Sequence, residues 1–292
     1  MLYIAELPEP KPGAGEVVVR VRAAAINPGE ATIREGYLRD LYPSEFPSGE
    51  GTDLAGVIHA AGPGVTSWRA GEEVLGWCWQ RASHADYVTV PAAQVVRKPA
   101  GVSWEVAGSL GVAGSTAWAA VEAVACTAGE TVLVSAAAGG VGSIAVQLLA
   151  MRGVNVIGVA SEANHAWLRA HGVSPVVYGD GLRQEVGRVA PNGVDAVLDT
   201  FGPQYIDLAL ELGVVPARIE TIIAFERAAE VGARTDGSRQ GTSAEVLGKL
   251  AKLCADGKLD VPISARYPLD RVKDAFAELE LRHTRGKIVL IP

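Results

Sequence analysis

Residues 131–149 read Thr-Val-Leu-Val-Ser-Ala-Ala-Ala-Gly-Gly-Val-Gly-Ser-Ile-Ala-Val-Gln-Leu-Leu, a buried strand that runs into a glycine turn and then a helix. Small residues at Ala137, Gly139 and Gly142 meet the three needs of a dinucleotide turn: a tight reversal, close main-chain approach to a pyrophosphate, and a helix packed hard against its strand. N–H groups at the helix start, around Gly140 to Ser143, are expected to point at that anion, where the positive end of the helix dipole favours it. Ala138, Gly139, Gly140, Val141 and Gly142 are therefore the candidate cradle. The competing reading is an ordinary glycine-rich turn. The order strand, turn, helix, second strand favours the cofactor. That second strand ends at Ala160-Ser161, where NAD-specific folds place an acid on the ribose 2′-hydroxyl. Ser161 can donate to a 2′-phosphate that a carboxylate would repel, and Asn164, His165 and Tyr178 are further donors. This favours NADPH over NADH. Glu162 is the contrary sign, as a ribose acid displaced by one position, and His165 reads equally well as a solvated helix residue.

The elements that must position these residues change rhythm along the chain. Up to about Val96, short β-like runs (Val17 to Ala24, Gly56 to Ala61, Glu73 to Leu75, Tyr87 to Val90) alternate with turns at Pro12-Gly13, Pro47-Ser48-Gly49, Gly62-Pro63-Gly64 and Ala70-Gly71, which predicts a compact β-rich unit. From about Gly108, strands alternate with helices: Thr131 to Ser135, Val154 to Ala160, Val176 to Tyr178, Val194 to Leu198 and Ile219 to Ile223 are the expected strands, and the pattern predicts a doubly wound parallel sheet. Ser243 to Ala255 reads as an amphipathic helix ended by Gly257. The tail from Asp270 offers a helix and a strand, Lys287 to Ile291, too small to fold alone and expected to pack back on the β unit.

Bulk properties narrow the function classes. With 292 residues and 49% hydrophobic composition, two domains are expected. A balance of 26 Lys and Arg against 33 Asp and Glu, net −7, argues against nucleic acid as a partner. Cys78, Cys126 and Cys254 are scattered and odd in number, which fits small buried filler in a reducing, cytoplasmic setting. The N-terminus has no apolar run of the kind a signal peptide needs. Val132 to Met151 is long and uncharged enough to imitate a membrane span, but its glycine cluster falls where a strand turns into a helix, so no membrane partner is expected.

Taken together, these motifs resemble the medium-chain dehydrogenase/reductase superfamily, in particular its zinc-free quinone oxidoreductase branch, which includes zeta-crystallin. The resemblance also covers Ala25-Ile26-Asn27-Pro28, the run Pro47 to Gly56, Gly114 to Trp118, Asp195 to Gly202 and Arg285 to Leu290. It implies an α/β protein with a GroES-like β-rich catalytic domain from residues 1–107 and 257–292 and a Rossmann domain from residues 108–256. Where zinc relatives carry Gly-His-Glu, this chain has Ser48-Gly49-Glu50, and three scattered thiols cannot build a four-cysteine lobe, so no metal is expected. Without a Lewis acid, an alcohol substrate is disfavoured. The resemblance implies reduction of a quinone or α,β-unsaturated carbonyl, with an enoyl-thioester or tailoring reductase, and a non-catalytic NADPH-binding protein, as alternatives. It implies that Asn27 lies beside the nicotinamide ribose or substrate, that Thr116 and Phe225 border the nicotinamide, that Arg285 and Lys287 help near the phosphates or are surface charges, and that Tyr37 is the proton donor or a rim aromatic. Trp77 and Trp79 would face an apolar substrate or belong to the core. A homodimer is implied as well.

Overall fold

The structure, a computed structural model, describes residues 2–40, 42, 43, 45–239 and 242–292. From the N-terminus, β1 (Glu16–Ala25) leads into α1 (Pro28–Arg34), followed by β2 (Asp53–Ala61), β3 (Glu73–Trp77), β4 (Tyr87–Pro91), β5 (Val95–Arg97) and α2 (Trp104–Ala107). An alternating run comes next: α3 (Val112–Val124), β6 (Thr131–Val134), α4 (Gly140–Met151), β7 (Asn155–Val159), α5 (His165–Ala170), β8 (Val173–Val176), α6 (Leu182–Val189), β9 (Ala196–Asp199), α7 (Gln204–Glu211), β10 (Ile219–Thr221), α8 (Phe225–Val231) and α9 (Asp236–Arg239). The chain closes with α10 (Ala244–Ala255), β11 (Ile263–Pro268), α11 (Val272–Glu280) and β12 (Lys287–Ile291).

Two compact units result, Met1–Ala113 with Thr242–Pro292, and Gly114–Gly241. In the first, a GroES-like unit, the sheet runs β11-β12-β1-β2-β3-β5, with β4 also paired to β1. Its core comes from inward-facing valines of β1, Val17, Val19 and Val21, against Leu54, Ile58, Val74, Val88 and Val90. The C-terminal strand β12 pairs antiparallel with β1, Ala24 opposite Leu290, so both ends of the chain build one sheet as expected. The expected borders at 107 and 257 shift to Ala113 and Thr242, because α10 packs on β5 and buries Leu247, Leu250 and Ala251 in this unit. The unexpected α1 forms because Pro28 suits a first helical turn and the Glu30 carboxylate reaches back to accept from the Asn27 N–H at 2.9 Å.

In the second unit the strands are all parallel, in the order β10-β9-β6-β7-β8, a Rossmann-like sheet with its order reversing between β6 and β9. On the open edge of β10, Arg234 makes a single parallel bridge with Glu220, where a further strand would lie. The strand expected at Val176 to Tyr178 begins earlier, at Val173. Its Pro175 is tolerated because β8 is an edge. The charge-free stretch Val132 to Met151 is β6 and α4, and among the described residues no helix is long and apolar enough to cross a membrane.

Candidate functional site

The turn after β6 brings its small residues together as the spacing requires. Ala136 takes a left-handed φ of 41°, the Gly139 N–H donates back to the Ala136 carbonyl at 2.8 Å, and α4 starts at Gly140. A Cβ on Gly142 would lie 2.2 Å from the Ala136 carbonyl oxygen and 3.0 Å from the Ala137 Cα, so only glycine lets this helix seat against the turn. The first-turn N–H groups of Gly140, Val141 and Gly142 have no acceptor inside the helix. Gly139, Gly140 and Val141 are partly exposed, whereas Ala138 and Gly142 are buried.

Beyond the end of β7, Ser161 Oγ accepts from Asn164 Nδ2 at 3.0 Å, which brings two of the sequence-derived donors together. One His165 ring nitrogen lies 3.4 Å from the Ala160 carbonyl, and Tyr178 follows β8 with its ring half exposed. Phe225 opens α8 partly exposed, and Thr116 lies half-buried on α3.

Sequence reasoning missed what holds the turns after β9 and β10. Asp199, fully buried at the end of β9, accepts from Ser135 Oγ (2.7 Å), Phe201 N (2.9 Å) and Gly202 N (3.0 Å) through Oδ1, and from Thr221 Oγ1 (2.7 Å) through Oδ2. Thr221 Oγ1 in turn accepts from Ile223 N at 3.2 Å and Ala224 N at 3.0 Å, fixing the backbone that leads to Phe225. The carboxylate thus ties the C-terminal ends of β6, β9 and β10, the edge at which open parallel sheets take ligands. The signal was an acid at a strand end before Thr200-Phe201-Gly202.

The first unit holds a buried polar cluster around Asn27. Asn27 Nδ2 donates to Glu30 Oε1 (3.2 Å) and Asp53 Oδ2 (3.1 Å), while Asn27 Oδ1 accepts from Lys287 Nζ at 2.5 Å. Lys287 also donates to the Ile26 carbonyl at 3.1 Å and lies 3.6 Å from Asp53 Oδ2. This corrects the reading of Lys287 as a surface charge. At 4% exposure its ammonium meets partners within the cluster. Asp53 Oδ1 accepts from Val112 N at 2.5 Å, and Thr52 N donates to Glu30 Oε1 at 2.9 Å. Burial, and then the Asp53 charge, push the Glu30 carboxyl up to about 7. His84, whose Nε2 is 3.3 Å from the Ala25 carbonyl, is pushed down to about 4 by burial. Glu50 is held by Arg34 at 3.1 Å, yet burial raises it. Glu30 escaped the sequence reading, although three residues after Asn27 it carries the spacing of a capping box.

The remaining candidates separate. Tyr37 is 77% exposed in the turn after α1, and Arg285 is exposed. Trp77 is core while Trp79 is half exposed. All three thiols are free and raised by burial, Cys126 to about 11 and Cys254 to about 12, which fits filler rather than nucleophiles.

Comparison with known proteins follows the same division. Residues 13–100 match the alcohol dehydrogenase GroES-like domain, and residues 171–290 match a family described as zinc-binding dehydrogenase. The chain is 30% identical over 324 residues to the synaptic vesicle membrane protein VAT-1 homolog of Rattus norvegicus, covering 97% of this chain and 78% of the relative. It is 27% identical over 330 residues to the mitochondrial NAD(P)H oxidoreductase RTN4IP1 of Bos taurus, covering 94% of this chain and 81% of that protein. Among solved structures, the quinone oxidoreductase from Coxiella burnetii superposes with a TM-score of 0.83 at 29% identity, over 98% of this chain and 93% of that one.

Proposed function

The chain belongs to the medium-chain dehydrogenase/reductase superfamily, and from that premise we propose that it is a zinc-independent, NADPH-dependent reductase that passes hydride to a quinone or an α,β-unsaturated carbonyl. The observation that carries the reading is the turn at residues 136–142. Apart from Val141 its residues are alanine or glycine, a Cβ on Gly142 would collide with its backbone, and the first-turn amides of α4 are free of helical acceptors. That arrangement suits a pyrophosphate. The Ser161–Asn164 pair supports NADPH over NADH, since both side chains can donate to a 2′-phosphate.

Zinc independence is supported by the residue types present. Gly49 has no side chain to offer a metal, Glu50 is held by Arg34, and the oxygens of Glu30 and Asp53 are engaged by Asn27, Thr52 and Val112. When bound, the reduced nicotinamide supplies hydride. In the proposed roles, the amides of residues 138–142 bind the pyrophosphate, Thr116 and Phe225 border the nicotinamide, Asn27 positions ligand, and Tyr37 supplies the proton that follows hydride. An acceptor whose carbon is already electrophilic needs alignment and exclusion of water more than activation. A homodimer and a cytoplasmic location belong to the same reading.

The test mixes purified protein with NADPH or NADH and a naphthoquinone, a short enone or a crotonyl thioester, following absorbance of the reduced nicotinamide. NADPH consumption with the quinone or enone is expected. Turnover confined to the thioester would move the assignment to an enoyl-thioester reductase, and saturable NADPH binding without turnover would make this a binding protein. No saturable binding of either nucleotide would end the redox reading.

A further inference from the structure

We infer that residues 232–239 form a pH-operated clasp over the open edge of the second unit's sheet, with Glu220 as its pin. The clasp is closed while Glu220 keeps its proton and loosens as that proton leaves.

The outermost strand β10 pairs with β9 on one side only, and a bare strand edge is a hazard that folds cover. After α8 the chain reverses at Gly232, whose φ of 78° is left-handed, and lays a single residue along that edge. Thr221 N donates to the Arg234 carbonyl at 3.0 Å, and Arg234 N donates to the Ile219 carbonyl at 2.8 Å. Two further bonds come from one side chain. Glu220 Oε2 accepts from Asp236 N at 3.2 Å, and Oε1 accepts from Gly237 N at 2.7 Å. The fit is close, because a Cβ on Gly237 would lie 2.9 Å from Ala120 Cβ and 3.1 Å from Glu220 Oε1. Glu220 thus supplies half of these four bonds.

The pin is fully buried, and among the described residues it has no ion-pair partner. Arg234 of the clasp sends its guanidinium to Asp236 at 2.6 Å instead. Ala120 of α3 is apolar, and the one charged residue of that helix, Glu122, is engaged by Arg152. Alternation along β10 puts Ile219 and Thr221 on the opposite face, where Asp199 is bonded to Thr221. An anion at Glu220 therefore has two N–H groups to favour it, with the loss of water and the Asp236 charge against it. Burial wins, and the carboxyl is pushed up to about 7. Once the clasp lifts, water reaches the carboxyl and its ordinary 4.5 returns. Opening releases a proton between those two values, so rising pH favours the open form and the effect levels off above about 7.

Amide hydrogen exchange read by NMR tests this, with each rate divided by the intrinsic rate at the same pH. Protection of the Thr221 and Arg234 N–H groups should fall by about tenfold between pH ~6 and ~8, while that of Ile157 in β7 holds steady. Glu220→Gln keeps the shape of the side chain and cannot ionise, so its protection should be flat across that range. Protection that does not change with pH in wild type overturns the inference, as does a slope that survives in the variant. An equal fall at Ile157 overturns it too, since the whole unit would then be opening rather than its edge. Should Glu220→Gln fail to fold, the wild-type Gly237 N–H resonance decides: a titration centred near 7 supports the pin, and a resonance that does not move removes it. None of these outcomes bears on nucleotide binding or turnover, which test the proposed function separately.

Discussion

Glu30 and His84 are buried within one polar cluster and are shifted by burial in opposite directions, which gives the protein's stability two opposed dependences on pH. A carboxyl near 7 in the folded chain, against an ordinary 4.5, holds its proton better folded than unfolded. Its contribution is full below the unfolded value and is lost as pH rises toward 7, amounting to roughly 3 kcal/mol. Glu220, buried beneath the Asp236 and Gly237 amides and raised to about 7, acts in the same sense. His84, at about 4 against 6.5, makes stability fall as pH drops between those values. Urea melts are therefore expected to show Glu30→Gln losing less stability than wild type from pH ~5 to ~7, and Glu220→Gln likewise. Parallel curves for wild type and both variants would refute that burial effect. Tyr37 makes a contrasting case. Its ring is 77% exposed, so Tyr37→Phe should leave stability within about 0.5 kcal/mol of wild type. If the tyrosine supplies the proton, turnover at saturating NADPH should fall by about 10²-fold, and an unchanged rate would strip it of that role.

The turns at the C-terminal ends of β6, β9 and β10 are held by different means, and their sensitivities differ accordingly. The turn after β6 is steric. In Gly142→Ala the new Cβ meets a backbone carbonyl at 2.2 Å, an atom that cannot swing away as a side chain can. Both nucleotide affinity and melting temperature should drop, affinity by more than about tenfold. The turns after β9 and β10 depend on one carboxylate. Asp199→Ala strands two backbone N–H groups and two hydroxyls, and is expected to cost about 3 kcal/mol or more in denaturant unfolding and to raise the KM for NADPH. A variant as stable as wild type would mean that water takes over those donors. Elements were legible where pattern and length were both strong. β12 was read at its observed bounds, Lys287–Ile291, and the strand, turn and helix around Gly139 fell where expected. The seven-residue α1 was not, because a helix that short shows no full apolar stripe and is held by one capping interaction. Nor was β11, whose side chains are nowhere fully buried.

At the scale of the whole molecule, the first unit is closed by the last strand of the chain. β12 pairs with both β1 and β11 and carries Lys287 into the Asn27 cluster. Removing residues 287–292 would bare two strand edges and leave Glu30 and Asp53 without their ammonium. The truncated chain is expected to be rapidly digested by trypsin in its first unit and to lose the cooperative melt of wild type. A truncated chain with an unchanged melt would show that β12 is dispensable.

Local chemistry was within the reach of sequence alone. Small residues at Ala137, Gly139 and Gly142 belong to one turn, and the alternation of strands with helices is set by neighbours a few residues apart. The candidate cofactor turn, the parallel sheet and the use of both chain ends followed from such patterns. Only the tertiary structure could decide the polar cluster, because its members come from separate parts of the chain. Asn27 and Lys287 are 260 residues apart and Asn27 and Asp53 26 apart, and the same holds for the Asp199 network of the second unit, where Ser135 and Asp199 are 64 apart. A lysine near a chain end reads as a solvated charge until a fold removes its water. Burial then turns it from a surface group into the donor that fixes which way an asparagine faces, and burial is a property of packing that residue order does not display.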